Sequence, residues 1–253
     1  MSFQQQDRMG RNVASAGKLA TKMALAGLLV GVAASPPAHA HRRDFPFTYD
    51  WRQPSKGEKE IELHTRYRGR DNSFRQQIEF EYGITDRWAI APYLVFNKGS
   101  GDDSLKYDGW KLETRYQLGE YKTGRVLSGL YLEYVGNKDA PDGVEGKLIL
   151  SRYGKSGSNL SFNYIVEREL ENGAEFENEY SFGYARPLGK NRGGPRGGFE
   201  WIHNLSSGRI NAGPVIAFAP TKNTWITTGY AFAVNDRDGN KGEFRLLAEY
   251  EWF

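Results

Sequence analysis

Residues 243–253 read Glu243-Phe244-Arg245-Leu246-Leu247-Ala248-Glu249-Tyr250-Glu251-Trp252-Phe253. Phe244, Leu246, Ala248, Tyr250 and Trp252 fall on one side of an extended chain, and Glu243, Arg245, Glu249 and Glu251 on the other. A period of two belongs to a β-strand, whose successive side chains point to opposite faces. The stretch predicts a strand with one apolar and one charged face, closing on a terminal aromatic residue.

Working back from it, the alternation recurs in twelve segments: 57–69, 73–84, 87–97, 106–118, 125–137, 142–153, 158–169, 174–187, 197–205, 208–219, 223–235 and 241–253. Each has about the 9–11 residues that a tilted strand needs to cross a bilayer, or slightly more. Ile61, Leu63 and Tyr67 oppose Glu60, Glu62, His64, Arg66 and Arg68. Ile78, Phe80 and Tyr82 oppose Arg75, Gln77, Glu79 and Glu81; Leu112, Thr114 and Tyr116 oppose Lys111, Glu113 and Arg115. Phe162, Tyr164 and Val166 oppose Asn163, Glu167 and Glu169, and Phe176, Tyr180 and Phe182 oppose Glu175, Glu177 and Glu179. No segment after residue 40 carries a helical period. A soluble sandwich would turn the apolar set inward and a membrane barrel would turn it outward, so alternation alone does not choose between them.

The first 40 residues supply the missing direction. Arg8, Arg11, Lys18 and Lys22 precede an apolar run from Met23 to Ala34, and Ala38-His39-Ala40 is a small-x-small cleavage site. That run is too short for a spanning helix, which needs about 20 residues, and has the layout of a secretory leader. Cleavage after Ala40 makes His41 the mature terminus. Four of the 34 basic residues and one of the 31 acidic ones lie in the leader, so the mature chain is close to neutral. It has no electrostatic footprint for nucleic acid, and none is expected as a partner. Every Tyr and Trp, and every Phe but Phe3, lies beyond the leader, although mean hydropathy is well below zero. A transmembrane barrel reconciles the two, because only alternate residues face lipid. The absence of cysteine excludes disulfides and thiolate metal sites.

The fold expected is therefore an all-β, antiparallel, up-and-down transmembrane barrel of about twelve strands over 57–253, preceded by a periplasmic lead-in over 41–56 that either stays in the periplasm or folds back into the barrel mouth. An even strand number puts both ends on the periplasmic side. The connections Thr85-Asp86 and Pro220 to Asn223 then fall there, each followed by a tryptophan, Trp88 or Trp225. With Tyr250 and Trp252 these are expected at the membrane interface, where aromatic girdles lie. Gly189 to Arg196 is long and basic for such a turn. Pro92 and Pro214 fall inside predicted strands, which predicts local bulges. Phe253 is in phase with Glu249 and Glu251 rather than with the apolar face.

Phe45-Pro46-Phe47-Thr48-Tyr49-Asp50, Pro54-Ser55-Lys56-Gly57-Glu58 and the run Ile78 to Trp88, with its Gly-x-Thr-Asp-Arg turn, carry a resemblance. The chain resembles a diffuse group of uncharacterised outer-membrane barrel proteins, similar to the transporter-like barrels linked to phenol-degradation pathways. The resemblance implies a bacterial outer-membrane barrel and brings no reaction or ligand with it.

The largest chemical constellation is the charged face. Glu60, Glu62, Arg66, Arg68, Arg75, Glu79, Glu81, Lys111, Glu113, Arg115, Glu167, Glu177, Glu179, Arg245 and Glu249 are expected to line a lumen and a path for small charged solutes. The same charges fit a lumen filled by ion pairs, and twelve strands lie between the filled eight-stranded barrel and the open porin. Outer-membrane lipid and lipopolysaccharide, and the assembly machinery that reads the last strand, are the other partners expected. No cofactor or metal is expected: after the leader, His41, His64 and His203 are the only histidines. A surface lipid hydrolase would need a His–Ser pair, but Ser207 lies four residues beyond His203, roughly 13 Å along a strand. No catalytic residue is assigned. Passive passage through a charged lumen, a structural barrel with a filled lumen, and more remotely a lipid-modifying enzyme are the readings left open.

Overall fold

The computed structural model describes residues 42–190 and 193–252. The predicted leader over 1–40 and the terminal Phe253 lie outside the described residues. Twelve strands follow one another: β1 (Lys59–Arg68), β2 (Ser73–Thr85), β3 (Trp88–Lys98), β4 (Lys106–Leu118), β5 (Val126–Asn137), β6 (Gly143–Tyr153), β7 (Asn159–Glu169), β8 (Glu177–Pro187), β9 (Arg196–Asn204), β10 (Ile210–Thr221), β11 (Thr224–Ala233) and β12 (Glu243–Trp252). Each pairs antiparallel with its sequence neighbours, and β1 pairs with β12 to close the barrel. The start of β8 lies three residues beyond its predicted position, so Phe176 precedes the strand.

Burial decides which face points where. Glu60, Glu62, Glu79, Glu81, Glu113, Glu249 and Glu251 are almost completely buried, whereas Ile61, Leu63, Phe80, Leu94, Leu112 and Leu132, at the apolar positions of the strands, are exposed. The apolar face points out and the charged face in, the reverse of a soluble sandwich. Exposed apolar patches of this extent are not tolerated in water, and a lipid surround removes that cost.

The prolines behave differently from expectation. Pro92 pairs with Leu112 and Pro214 with Phe199, and both point outward. On their other sides the ladders pass over them without a change of register, from Glu79↔Tyr93 to Tyr82↔Ile90 and from Ala212↔Phe232 to Val215↔Gly229. In an antiparallel sheet a residue offers N–H and C=O to one neighbour only, so each proline disturbs one ladder and spares the other. The bulges fall elsewhere, between Gly83 and Thr85, Val95 and Phe96, and Phe218 and Thr221.

The lead-in, expected either to stay periplasmic or to fold back into the barrel mouth, runs inside the barrel over 42–54, and Ser55 and Lys56 are exposed. Phe45, Tyr49 and Trp51 are buried against three separate groups of wall residues: Ala185 and Val215, Tyr131 and Ile149, and Leu127 and Tyr153. Gly183 makes the room for Phe45, since a Cβ there would lie 2.7–2.8 Å from the phenyl ring.

Candidate functional site

The inner face of β2, β1 and β12 is a lattice set by register. Reading across the three strands, the rungs are Glu81–Glu60–Glu251, Glu79–Glu62–Glu249, Gln77–His64–Leu247, Arg75–Arg66–Arg245 and Ser73–Arg68–Glu243. Directly opposed side chains have Cβ atoms about 4.5–5.5 Å apart, and like charges so placed repel. Two acidic rungs thus lie at the end of the barrel where β1 begins and β12 ends, and an arginine rung lies nearer the opposite mouth.

Counter-charge for the acidic rungs comes largely from the internal segment and from β4. Arg43 donates from Nη1 to Glu62 Oε2 at 3.2 Å, and its amide donates to Glu249 Oε2 at 3.5 Å. Arg115 pairs with Glu81, and with Glu113 at 2.8 Å. His64 Nε2 lies 2.9 Å from Glu62 and 2.7 Å from Glu79. Glu62, His64 and Glu79 offer three ligand atoms within 4.8 Å of one another, but Arg43 already sits on Glu62.

Wall side chains hold the segment by its backbone. The Phe47 and Thr48 amides donate to Glu200 Oε1 at 3.2 and 2.6 Å. Asn163 accepts from the Tyr49 amide at 2.7 Å and donates to the Tyr49 carbonyl at 2.8 Å. Ser151 accepts from the Trp51 amide at 3.0 Å, and Gln117 donates to the Trp51 carbonyl at 2.9 Å. Asp44 pairs with Arg196 and accepts from Asn159 at 2.8 Å. Buried amides and carbonyls must be satisfied, and here the wall satisfies them as a neighbouring strand would.

Above the segment a cavity of about 460 Å³ reaches the opposite mouth, with Arg43, Pro46, Phe47 and Tyr49 at its floor. Arg66, Arg68, Arg75 and Arg245 line one wall, and Glu145, Glu167, Glu177 and Glu179 line another. Glu145, Glu167 and Glu177 belong to one cross-strand row, Glu113↔Glu133↔Glu145↔Glu167↔Glu177, running over β4 to β8, and Glu179 is the next inward residue along β8. Lys111 neutralises Glu133 and Lys147 neutralises Glu145, each at 2.7 Å. At the rim, Asp71 lies 2.8 Å from Arg68. Partial burial opposes its ionisation, but hydrogen bonds from Ser73 and the charge of Arg68 outweigh that and hold its carboxyl below the usual range.

The fifteen charged residues read from the sequence therefore divide. Glu60, Glu62, Glu79, Glu81, Glu113, Arg115 and Glu249 are buried; Arg66, Arg68, Arg75, Lys111, Glu167, Glu177, Glu179 and Arg245 line the cavity. Trp88 is exposed on the outer face and donates to Thr114 Oγ1, and Tyr250 and Trp252 stand on that face beside one another, with Trp252 6.0 Å from Phe80. Trp225 corrects the expectation for the girdle. It is 1% exposed, points inward in phase with Thr227, and donates from Nε1 to the Arg43 carbonyl at 2.7 Å. The turn before it predicts a tryptophan at the right height, but parity along β11 puts it on the inner face. His203 lies on the outer face with Nδ1 3.1 Å from the Tyr180 hydroxyl, and Ser207 donates to Asn204 Oδ1 in the following turn.

Asn163, Ser151, Asn159, Gln117 and Gly183 were not singled out from the sequence as site residues. Their signal is a contrast on the inner face in the half of the barrel where β1 begins: β1 and β2 carry Glu60, Glu62, Glu79 and Glu81 there, whereas β6 to β8 carry Ser151, Ser161, Asn163, Ser181 and Gly183. Small inward residues leave space for an internal chain.

No protein-family model and no curated protein sequence matches this chain. Among solved structures it is similar to the KdgM porin, with a TM-score of 0.55 at 9% identity over 76% of this chain and 98% of that one. An outer membrane channel from Pseudomonas putida F1 aligns with a TM-score of 0.56 at 12% identity over 80% of this chain and 97% of that chain. The NanC porin aligns with a TM-score of 0.53 at 9% identity over 76% and 98%. At these identities the likeness defines the class of fold, a closed twelve-stranded outer-membrane-type β-barrel.

Proposed function

We propose that this barrel resides in a bacterial outer membrane and takes small, charged, hydrophilic solutes into its vestibule for passive passage. The observation that carries the reading is the 460 Å³ cavity, lined by an arginine wall and a glutamate wall. A low-dielectric wall carrying fixed charges concentrates solutes of matching charge and orders their approach. The exposed apolar band is then the surface for lipid and lipopolysaccharide, and β12 the strand read by the assembly machinery. Export through a leader cleaved after Ala40, and both barrel ends on the periplasmic side, belong to the same proposal. The resemblance to barrels linked to phenol degradation enters at the level of the group only, because the vestibule lining favours charged solutes over apolar ones. One neighbour, the KdgM porin, is described in complex with oligogalacturonate; porin-type neighbours support a channel rather than an enzyme.

A second reading has its own observation. The segment 42–54 occupies the lumen below the vestibule, as a structural barrel with a filled interior would require. Planar-bilayer recordings of the detergent-folded protein separate the two. Discrete steps whose ion selectivity changes in an Arg66→Gln or Glu167→Gln variant support passage. A folded, heat-modifiable protein without steps supports the filled barrel.

A further inference from the structure

The two charged walls oppose each other, and that opposition carries more information than either wall alone. In a closed ring of twelve strands β1 stands across from β7. Arg66 on β1 faces Arg75 and Arg245 as its direct cross-strand neighbours, and Glu167 on β7 faces Glu145 and Glu177. Most charges around the cavity are already paired: Arg43 with Glu62, Lys111 with Glu133, Lys147 with Glu145, Arg68 with Asp71, and Arg245 with Glu243. Among the described residues, the side chains of Arg66 and Arg75 make no hydrogen bond or close ion pair within the protein, and neither do those of Glu167, Glu177 and Glu179.

Resting on the reading of the vestibule as a solute site, we propose that its ligands are small zwitterions, molecules with a carboxylate at one end and an ammonium group at the other, such as amino acids and short peptides. Adjacent guanidinium groups repel until an anion lies between them, and a carboxylate can take two parallel N–H donors from one guanidinium. The same holds in reverse for an ammonium group, whose three donors suit several carboxylates. A purely anionic solute would satisfy the arginines and leave the glutamates across the cavity repelled; a purely cationic one would do the opposite. A cavity of 460 Å³ holds about 15 waters at ~30 Å³ each, which leaves room for a dipeptide and its remaining hydration.

The test is calorimetric titration of the detergent-folded protein with three matched probes: alanylalanine, its N-acetyl derivative and its methyl ester. The proposal requires the dipeptide to bind about tenfold more tightly than either derivative. Replacing Glu167 and Glu179 by Gln should remove the preference over the N-acetyl form, and replacing Arg66 and Arg75 by Gln should remove the preference over the ester. Heat-modifiable migration on gels checks that each variant folds, and the three probes on the unaltered protein decide the question alone. Equal or tighter binding of either derivative, or binding of none, overturns the proposal. Bilayer conductance judges passage separately: steps without dipeptide discrimination leave the channel standing and sink the zwitterion site, and discrimination without steps does the reverse.

Discussion

Arg43 is the position where a single substitution should cost most for its size. Its guanidinium and Glu62 are 3% and 0% exposed, so neither side of the pair is screened by water. Around them lie the rungs Glu79–Glu62–Glu249 and Glu81–Glu60–Glu251. Arg43→Met keeps most of the side-chain volume and removes the charge. Breaking a buried pair by deleting one partner costs about 3–5 kcal/mol, because the charge left behind stays buried. Urea unfolding of the protein in lipid vesicles, followed by tryptophan fluorescence and extrapolated linearly, measures the loss. Adding Glu62→Gln to Arg43→Met should recover about 1–3 kcal/mol, since the two residues interact directly. A loss below ~1 kcal/mol for Arg43→Met is the range of an exposed ion pair and would refute the assignment of Arg43 as counter-charge to the acidic rungs.

Deleting residues 42–56 should open the lumen, so bilayer recordings should show larger steps than the intact chain gives; unchanged traces would mean that the segment does not close the path. Gly183→Leu puts side-chain atoms where the Phe45 ring lies and should cost about 1–3 kcal/mol, with protease cleavage within 42–56 as the readout. Trp225→Ala should lose about 3–5 kcal/mol as a core truncation, and Trp88→Ala on the outer face much less; equal losses would contradict their opposite orientations. Leu132→Arg, on the outer face, should cost up to about 2–4 kcal/mol in vesicles if it sits near the bilayer midplane, and a neutral effect there would argue against a lipid-facing position.

The strands were legible because inner and outer positions alternate with a period of two along most of each strand; all twelve fall within a few residues of their predicted bounds. Orientation needed the leader and the aromatic loading, since the pattern of Glu60, Ile61, Glu62 and Leu63 reads the same in a sandwich and a barrel. For the lead-in the sequence leaves two places open, the periplasm and the barrel mouth, and does not choose between them. The segment's hydrogen bonds join Thr48 to Glu200 and Tyr49 to Asn163, partners more than a hundred residues apart with no local periodicity to announce them. Trp225 was misplaced for a related reason: turn proximity sets height in the wall, whereas parity sets the face.

The seam where β1 meets β12 has a consequence for how the wall is completed. Closing it sets Glu60 against Glu251 and Glu62 against Glu249, acid on acid, in a pairing that joins the two ends of the barrel sequence. Such long-range pairings form late, after the entropy of ordering the chain between them has been spent. The residue that relieves the repulsion, Arg43, lies just ahead of β1 and reaches both strands, through its side chain to Glu62 and its amide to Glu249. The last zipper of the ring thus draws on the threading of its own leading edge, and a chain with Arg43 neutralised should close more slowly as well as hold less firmly.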